Sequence, residues 1–289
     1  MEYIVHILVM AGLFVILSVS LNLVLGFAGL PAMGQSAFLC VGAYASALAC
    51  LHFGLSPWIT LPLAAGLAAA AGWLISFTAS RLTGDLFALA TFGFAVMAHS
   101  VAVNWSGVTP GPLGLSAITP FSVFGHALDT PFAFFPLVAV CCIVCVVVVL
   151  RLVYSPFGRI IRGMRESATI MVSVGINVGR YAREVFAVGA CFAGIAGALY
   201  AHYITYIDPM SFTPMESVTM LLMVVFGGMG SISGSIIGAA TLVLLPEALR
   251  FMGLPNSTAA PVRQMVYGGL LVALMLARPS GVLGRYKWQ

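Results

Sequence analysis

Residues 131–153 read PFAFFPLVAVCCIVCVVVVLRLV, and the one charged side chain in that stretch, Arg151, stands close to its end. About 20 mostly apolar residues is the length of one helix across the hydrocarbon core of a bilayer. In lipid, a chain can satisfy its backbone polar groups only in helices or closed barrels. Barrel strands are alternating segments of roughly ten residues. The stretch Cys141–Leu150 is apolar at every position, so it has no such alternation. The segment is therefore a membrane-spanning helix.

Working outward, the same texture recurs along all 289 residues, of which 61% are hydrophobic and 7% charged. A soluble domain carries roughly 25% charged residues to clothe its surface. Here 12 basic and 8 acidic side chains cannot cover 30.3 kDa. The composition excludes a soluble domain, a disordered chain, a coiled coil and a disulfide scaffold, and nothing in it points to nucleic acid. Spans are expected near Tyr3–Leu25, Gln35–Leu51, Pro57–Ser80, Leu86–Asn104, Pro131–Val153, Val185–Ile204, Val218–Phe226, Ser235–Phe251 and Met265–Ala277. The fold class is thus an all-α polytopic membrane protein of about nine spans (eight to ten), forming a single transmembrane domain over residues 1–289. The seventh span is too short to cross alone and needs irregular backbone to complete it. The first has no basic flank and no small-residue cleavage site, so it reads as an uncleaved helix and not a signal peptide.

Basic residues set the orientation, because short cytoplasmic connections are rich in Lys and Arg. Arg151, Arg159, Arg162, Arg165, Arg180 and Arg183 crowd one connection, while Trp105–Thr130 contains no Lys or Arg. Alternating the spans places ten of the 12 basic residues inside, with Arg250 and Arg263 outside. The C-terminus is then cytoplasmic and the N-terminus outside, unless Gly26–Leu51 is re-entrant.

A glycine-rich interruption occurs twice. Gly26, Gly29 and Gly34 punctuate the end of the first span, and Gly227, Gly228, Gly230 and Gly234 punctuate the end of the seventh. Each opens a helix of small residues. Paired interruptions in two halves of a membrane protein mark helices broken around a substrate path. The alternative is close helix packing through small residues. Asn22, Gln35 and Thr91 are neutral polar residues at depth that either line such a path or hydrogen-bond between helices. Together with Gly26, Gly29, Gly34, Gly227, Gly228 and Gly230 they are the candidate translocation pathway.

Catalytic and metal-binding constellations are absent from the sequence, as no His-Glu-x-x-His motif, acidic pair or nucleophile–base spacing occurs. The Cys142–Cys145 pair lies in an apolar run with no activating charge, so a redox or metal role is not expected. The lone lysine, Lys287, cannot complete a mid-chain Gly-Lys-Ser/Thr loop, so the chain has no phosphate-binding loop of its own.

The basic connection, residues 155–183, is patterned. Arg159, Arg162 and Glu166 share one side of a helix beginning near Gly158, with Arg165 on its shoulder. Ile161, Met164, Ala168 and Met171 form an apolar stripe on that helix. The arginines either hold the loop inside, facing anionic lipid, or form a partner-docking helix.

Arg165-Glu166, followed at nine residues by Gly175-Ile176 and then by Ala193-Gly-Ile-Ala-Gly-Ala-Leu-Tyr200, resembles the permease subunits of branched-chain amino-acid ABC importers. Further matching stretches are Leu21-Asn-Leu-Val-Leu-Gly26, Gly34-Gln-Ser-Ala-Phe38, Gly84-Asp-Leu-Phe-Ala-Leu-Ala-Thr91, Thr109-Pro-Gly-Pro-Leu-Gly114 and Met223-Val-Val-Phe-Gly-Gly-Met-Gly-Ser231. The ordered set is similar to the LivM-type member of the permease pair. Departures are Ser167-Ala168 where Asn-Glu is usual, and Leu30-Pro31-Ala32 where Gln-Leu-Ser is usual.

The resemblance implies that residues 155–183 carry a coupling helix docking on a cytoplasmic ATPase, a role falling on Arg165, Glu166 and Gly175, with Arg159 and Arg162 beside them. It also implies a second related permease subunit, two ATPase subunits that hold ATP and Mg, and an extracytoplasmic solute-binding protein. No cofactor is expected in this chain, which would not itself be an enzyme. The implied cargo is branched-chain or other apolar amino acids, the alternatives being urea, short amides or aromatic acids. A self-sufficient secondary transporter or channel needs its own ion site, and the scarcity of buried charge speaks against it.

Overall fold

The computed structural model describes residues 1–79, 84–123, 126–250, 268–269 and 281–284. The expected ninth span, Met265–Ala277, lies outside the described residues except for 268–269, and Arg81, Arg263, Arg278, Arg285 and Lys287 also lie outside them. Helices dominate: α1 (Glu2–Asn22), α2 (Gln35–Phe53), α3 (Pro57–Ala79), α4 (Asp85–Asn104), α5 (Pro131–Tyr154), α6 (Pro156–Glu166), α7 (Ala168–Ser173), α8 (Val178–Ile204), α9 (Pro214–Gly227) and α10 (Ile232–Arg250). A two-residue antiparallel pair, β1 (Ser122–Val123) with β2 (His126–Ala127), sits in the connection before α5. Among the described residues six helices are long and apolar enough to cross a membrane, and α9 and α10 are shorter apolar helices. The protein is a helical, multi-pass membrane protein.

Local chemistry sets the helix ends. Thr130 precedes Pro131, and its hydroxyl accepts from the Ala133 N–H. Ser155 does the same for Gly158 ahead of Pro156, Asn177 for Arg180, and Asp208 for Ser211. Each satisfies an N–H that has no partner within the helix.

Long-range contacts fix the direction of the helices. His6 in α1 hydrogen-bonds Tyr203 at the end of α8 (2.7 Å), and Tyr3 bonds Glu247 in α10. The 105–130 connection joins the same face. Leu115 bridges to Ile207, the Thr119 carbonyl meets Nδ1 of His202 at 2.7 Å, and the Trp58 indole donates to the Ser122 carbonyl. The start of α1 therefore shares a face with this connection, and the basic segment α6–α7 lies at the other end of the bundle. Cys50, late in α2, contacts Thr119, so α2 returns to the face from which α1 began.

The centre of the bundle is α8, against which α2 and α3 pack most extensively. Glycine permits this closeness, because a methyl group at Gly42 would overlap the backbone of Gly194, and one at Gly197 would overlap the Leu39 carbonyl. Exposed apolar side chains complete the picture. Val140, Ile143, Val144 and Val147 of α5, and Trp73, Leu74 and Phe77 of α3, point away from the core.

Two sequence expectations change. Helix α1 continues through a π-turn (Leu23–Phe27), so 26 consecutive residues are helical. At 1.5 Å per residue that is roughly 39 Å, longer than the ~30 Å hydrocarbon core. The first glycine segment thus follows a full-length helix, while the second follows the 14-residue α9. The basic helix also differs from the continuous one expected. It ends at Glu166 and restarts at Ala168, because Ser167 is extended (φ −160°, ψ 103°) and its side chain caps Ile170. The stripe is consequently split, with Ile161 and Met164 buried and Ala168 exposed.

Candidate functional site

The two glycine segments, some 200 residues apart in sequence, meet in space. Asn22, fully buried at the end of α1, accepts a hydrogen bond from the Gly230 N–H (3.0 Å) and donates to the Ser231 carbonyl (2.9 Å). One amide side chain thereby satisfies both polarities of the second segment's open backbone. Gly26 lies directly against this clamp. A methyl group there would collide with Oδ1 of Asn22 and sit 2.6 Å from the Gly230 nitrogen. A cavity of about 300 Å³ borders the junction, lined by Phe27, Gly230, Ser231, Ser233 and the end of α5.

The first segment also touches the basic connection. Gly29 has φ +71°, a conformation that favours glycine. A methyl group at Gly29 would stand 2.7 Å from Cγ of Arg165. The aliphatic stem of Arg165 therefore lies on the first break. Gly34, preceding α2, packs on the Thr91 carbonyl of α4.

Above the clamp is a layer of paired hydroxyls and amides. Gln35 donates to Ser20 (2.8 Å), and Ser217 of α9 pairs with the hydroxyl and N–H of Ser36. The Thr91 hydroxyl accepts from the Met33 N–H and donates to the Ala88 carbonyl. Asn22 and Gln35 thus hydrogen-bond to other segments, while Thr91 bonds Met33 of the loop before α2 and Ala88 of its own helix.

The second segment has a different support. Gly228 (φ +114°) and Gly230 (φ +72°) are left-handed. Residues 281–284 run alongside, with Val282 and Leu283 donating to the carbonyls of Phe226 and Gly227. Gly227 packs on the Gly234 carbonyl where α9 turns into α10.

On the basic connection, the candidate residues divide. Arg162 is turned inward, donating to the Gly158 and Val153 carbonyls, which closes the C-terminal end of α5. Arg159 and Glu166 are exposed. Gly175 (φ +86°) has open space around it and terminates α7. Beside it Ile170, Val172 and Val174 expose large apolar side chains at this end of the bundle. Arg183 lies over the rings of Trp73 and Phe77, 5.8 and 5.3 Å from their centroids.

Ser231, Ser36 and Ser217 belong to this constellation and are not evident in the sequence, since serine in a small-residue stripe looks like packing. Only the cap pattern at Ser167, a serine three residues before Ile170, carries a local signal.

Comparison with known proteins gives a consistent answer. The family described as branched-chain amino acid transport system, permease component, matches residues 3–275. The high-affinity branched-chain amino acid transport permease protein LivM of Salmonella typhimurium is 35% identical over 96% of this chain and 69% of its own. The Escherichia coli LivM protein is 34% identical over the same shares. The E. coli LivH permease protein is 27% identical over 94% of this chain and 91% of its own. No solved structure matches.

Proposed function

Because the chain belongs to the family of branched-chain amino-acid transport permeases, we propose that it is one permease subunit of an ATP-driven importer for branched-chain amino acids. It works beside a second, related permease. Matches to both LivM and LivH proteins support such a pair. Two ATPase subunits bind ATP and Mg, and an extracytoplasmic binding protein delivers solute to the face formed by Trp105–Thr130 and Tyr203–Glu216. The chain crosses the cell membrane about nine times, with the N-terminus outside, the C-terminus cytoplasmic and the glycine segments as broken-helix elements of the pathway.

The observation that carries the mechanism is the continuous contact from Arg165 to Gly29, and from Asn22 to Gly230 and Ser231. Arg159, Glu166, Gly175 and the exposed apolar face of α7 offer a docking surface to the ATPase, while Arg162 holds α6 to α5. Closure of the ATPase pair displaces α6. Arg165 transmits the displacement to the first break, and the Asn22 clamp shares it with the second. Packed elements of this kind shift between discrete arrangements, not continuously.

In the reconstituted importer, Arg165→Glu is expected to uncouple ATP hydrolysis from uptake while leaving membrane insertion intact. Uptake at the wild-type rate in that variant would falsify the coupling role.

A further inference from the structure

Toward the basic end of the bundle, α3 closes on α8. A methyl group at Gly72 would stand 2.5 Å from Cβ of Ala190, and this approach brings the following residues of α3 beside the first turns of α8. Trp73 and Phe77 stack there, with ring centroids 5.9 Å apart and planes 16° from parallel. The Arg183 guanidinium lies over both rings, at 5.8 and 5.3 Å, within the ~6 Å reach of a cation–π contact. Trp73, Phe77 and Leu74 beside them are all exposed. The charges around Arg183 are unequally matched. Arg180 is neutralised by Glu184 at 2.8 Å, whereas Arg183 pairs with no carboxylate among the described residues. The first turn of α8 holds no acidic residue, so the positive end of the helix dipole adds to the same charge.

We infer that Arg183, Trp73 and Phe77 form a binding site for one anionic phospholipid, with Arg183 taking the phosphodiester and the exposed Trp73–Leu74–Phe77 side of α3 taking an acyl chain. An aromatic face holds a guanidinium in place but does not neutralise it, and its five N–H donors still call for an oxyanion. Two phosphate oxygens match the planar fork of arginine, and such charge-assisted bonds are the stronger class. An indole belongs at the depth where headgroup meets hydrocarbon, so the same three side chains present a polar end and an apolar end in the order a lipid needs. The cationic group of a zwitterionic headgroup would meet Arg183 and the positive end of α8 unfavourably, while an anionic headgroup is attracted by both. A lipid bound here bridges α3 and α8, the pair at the centre of the bundle, so its binding should be felt as stability. The inference needs only the membrane-spanning fold and stands apart from the transport reading.

The test uses the full-length chain, purified in detergent and stripped of lipid. It is titrated with phosphatidylglycerol or phosphatidylcholine of the same acyl chains, and bound lipid is counted by native mass spectrometry. The wild type is expected to bind phosphatidylglycerol about tenfold more tightly and to gain in thermal midpoint with it. Arg183→Gln should abolish that preference. Arg183→Lys, which keeps the charge and loses the planar fork, should retain part of it. Trp73→Leu should weaken phosphatidylglycerol binding about threefold. Arg180→Gln combined with Glu184→Gln removes the neighbouring pair at constant net charge and should leave the preference unchanged. Equal binding of the two lipids by the wild type, or a wild-type preference in Arg183→Gln, overturns the site. An equal loss in the Arg180/Glu184 double variant also overturns it, because the basic end would then attract lipid without a defined site. Millimolar inorganic phosphate raising the wild-type midpoint as far as phosphatidylglycerol does would make a free anion the ligand and overturn the lipid site. Should Arg183→Gln yield no folded protein, wild-type preference in both Arg183→Lys and Trp73→Leu overturns the inference, and graded losses uphold it.

Discussion

Residues 23–34 and residues 227–234 are both glycine-rich exits from an apolar helix, yet they are held differently. The first leaves a helix of full spanning length through a π-turn and leans on the Arg165 stem and the Thr91 carbonyl. The second leaves a helix of 14 residues and is steadied by residues 281–284, which pair with it backbone to backbone. The first therefore has a side-chain neighbour on the basic connection that can move. The second has a main-chain neighbour near the other end of the sequence. Under the proposed coupling, a displacement arriving from α6 would reach the first segment directly and the second through the junction of Asn22 and Gly26 with Gly230, making the first the lever and the second its follower.

That asymmetry can be broken at graded cost. The largest effect is expected for Gly26→Leu, which drives a side chain into Asn22 and Gly230 and separates the two segments. No folded protein should be recovered by size-exclusion chromatography. Asn22→Ala comes next, leaving the buried Gly230 N–H and Ser231 carbonyl without this partner. The expected loss is about 2 kcal/mol of stability, from the cost of an unsatisfied buried polar group, read as a lowered thermal midpoint. Asn22→Asp keeps the acceptor for Gly230 and should differ from Ala mainly at Ser231. A smaller loss, about 1 kcal/mol, is expected for Gly29→Ala. Its φ is unfavourable for alanine, but its near neighbour is a flexible arginine stem. If the first segment is the lever, this variant should reduce uptake more than it reduces stability, and a proportional fall in both would break the comparison. The smallest effect is expected for Ser167→Ala, about 1 kcal/mol or less from loss of a cap, seen as increased proteolysis between α6 and α7.

Six spans were legible because the distribution of apolar residues along the chain needs no knowledge of what packs where. The arginines carry an expected orientation, and the contact of His6 with Tyr203 places the N-terminus on the face of the 105–130 connection. The glycine segments were visible as breaks, but their meeting was not, because nothing local ties Asn22 to Gly230 over 208 positions. The same holds for Arg165 on Gly29. The helical continuation to Phe27 was hidden because Gly26 reads as a breaker, and only tertiary packing holds it helical. The α6–α7 boundary was misread for the opposite reason. The apolar stripe suggested continuity, while the capping preference of Ser167 prevailed locally.

The clamp also bears on how the chain is made. Helix α1 packs on α5, α8, α9 and α10, and Asn22 finds its partners at Gly230 and Ser231. At roughly 5–20 residues per second of synthesis, α1 emerges on the order of 10–40 s before the backbone that Asn22 will bind. During that interval the nascent helix, with Ser18, Ser20 and Asn22 on it, sits in the bilayer or its insertion machinery as an early but unfinished element. Assembly of this protein is therefore timed by the ribosome, and a chain truncated before residue 230 leaves its first helix permanently waiting.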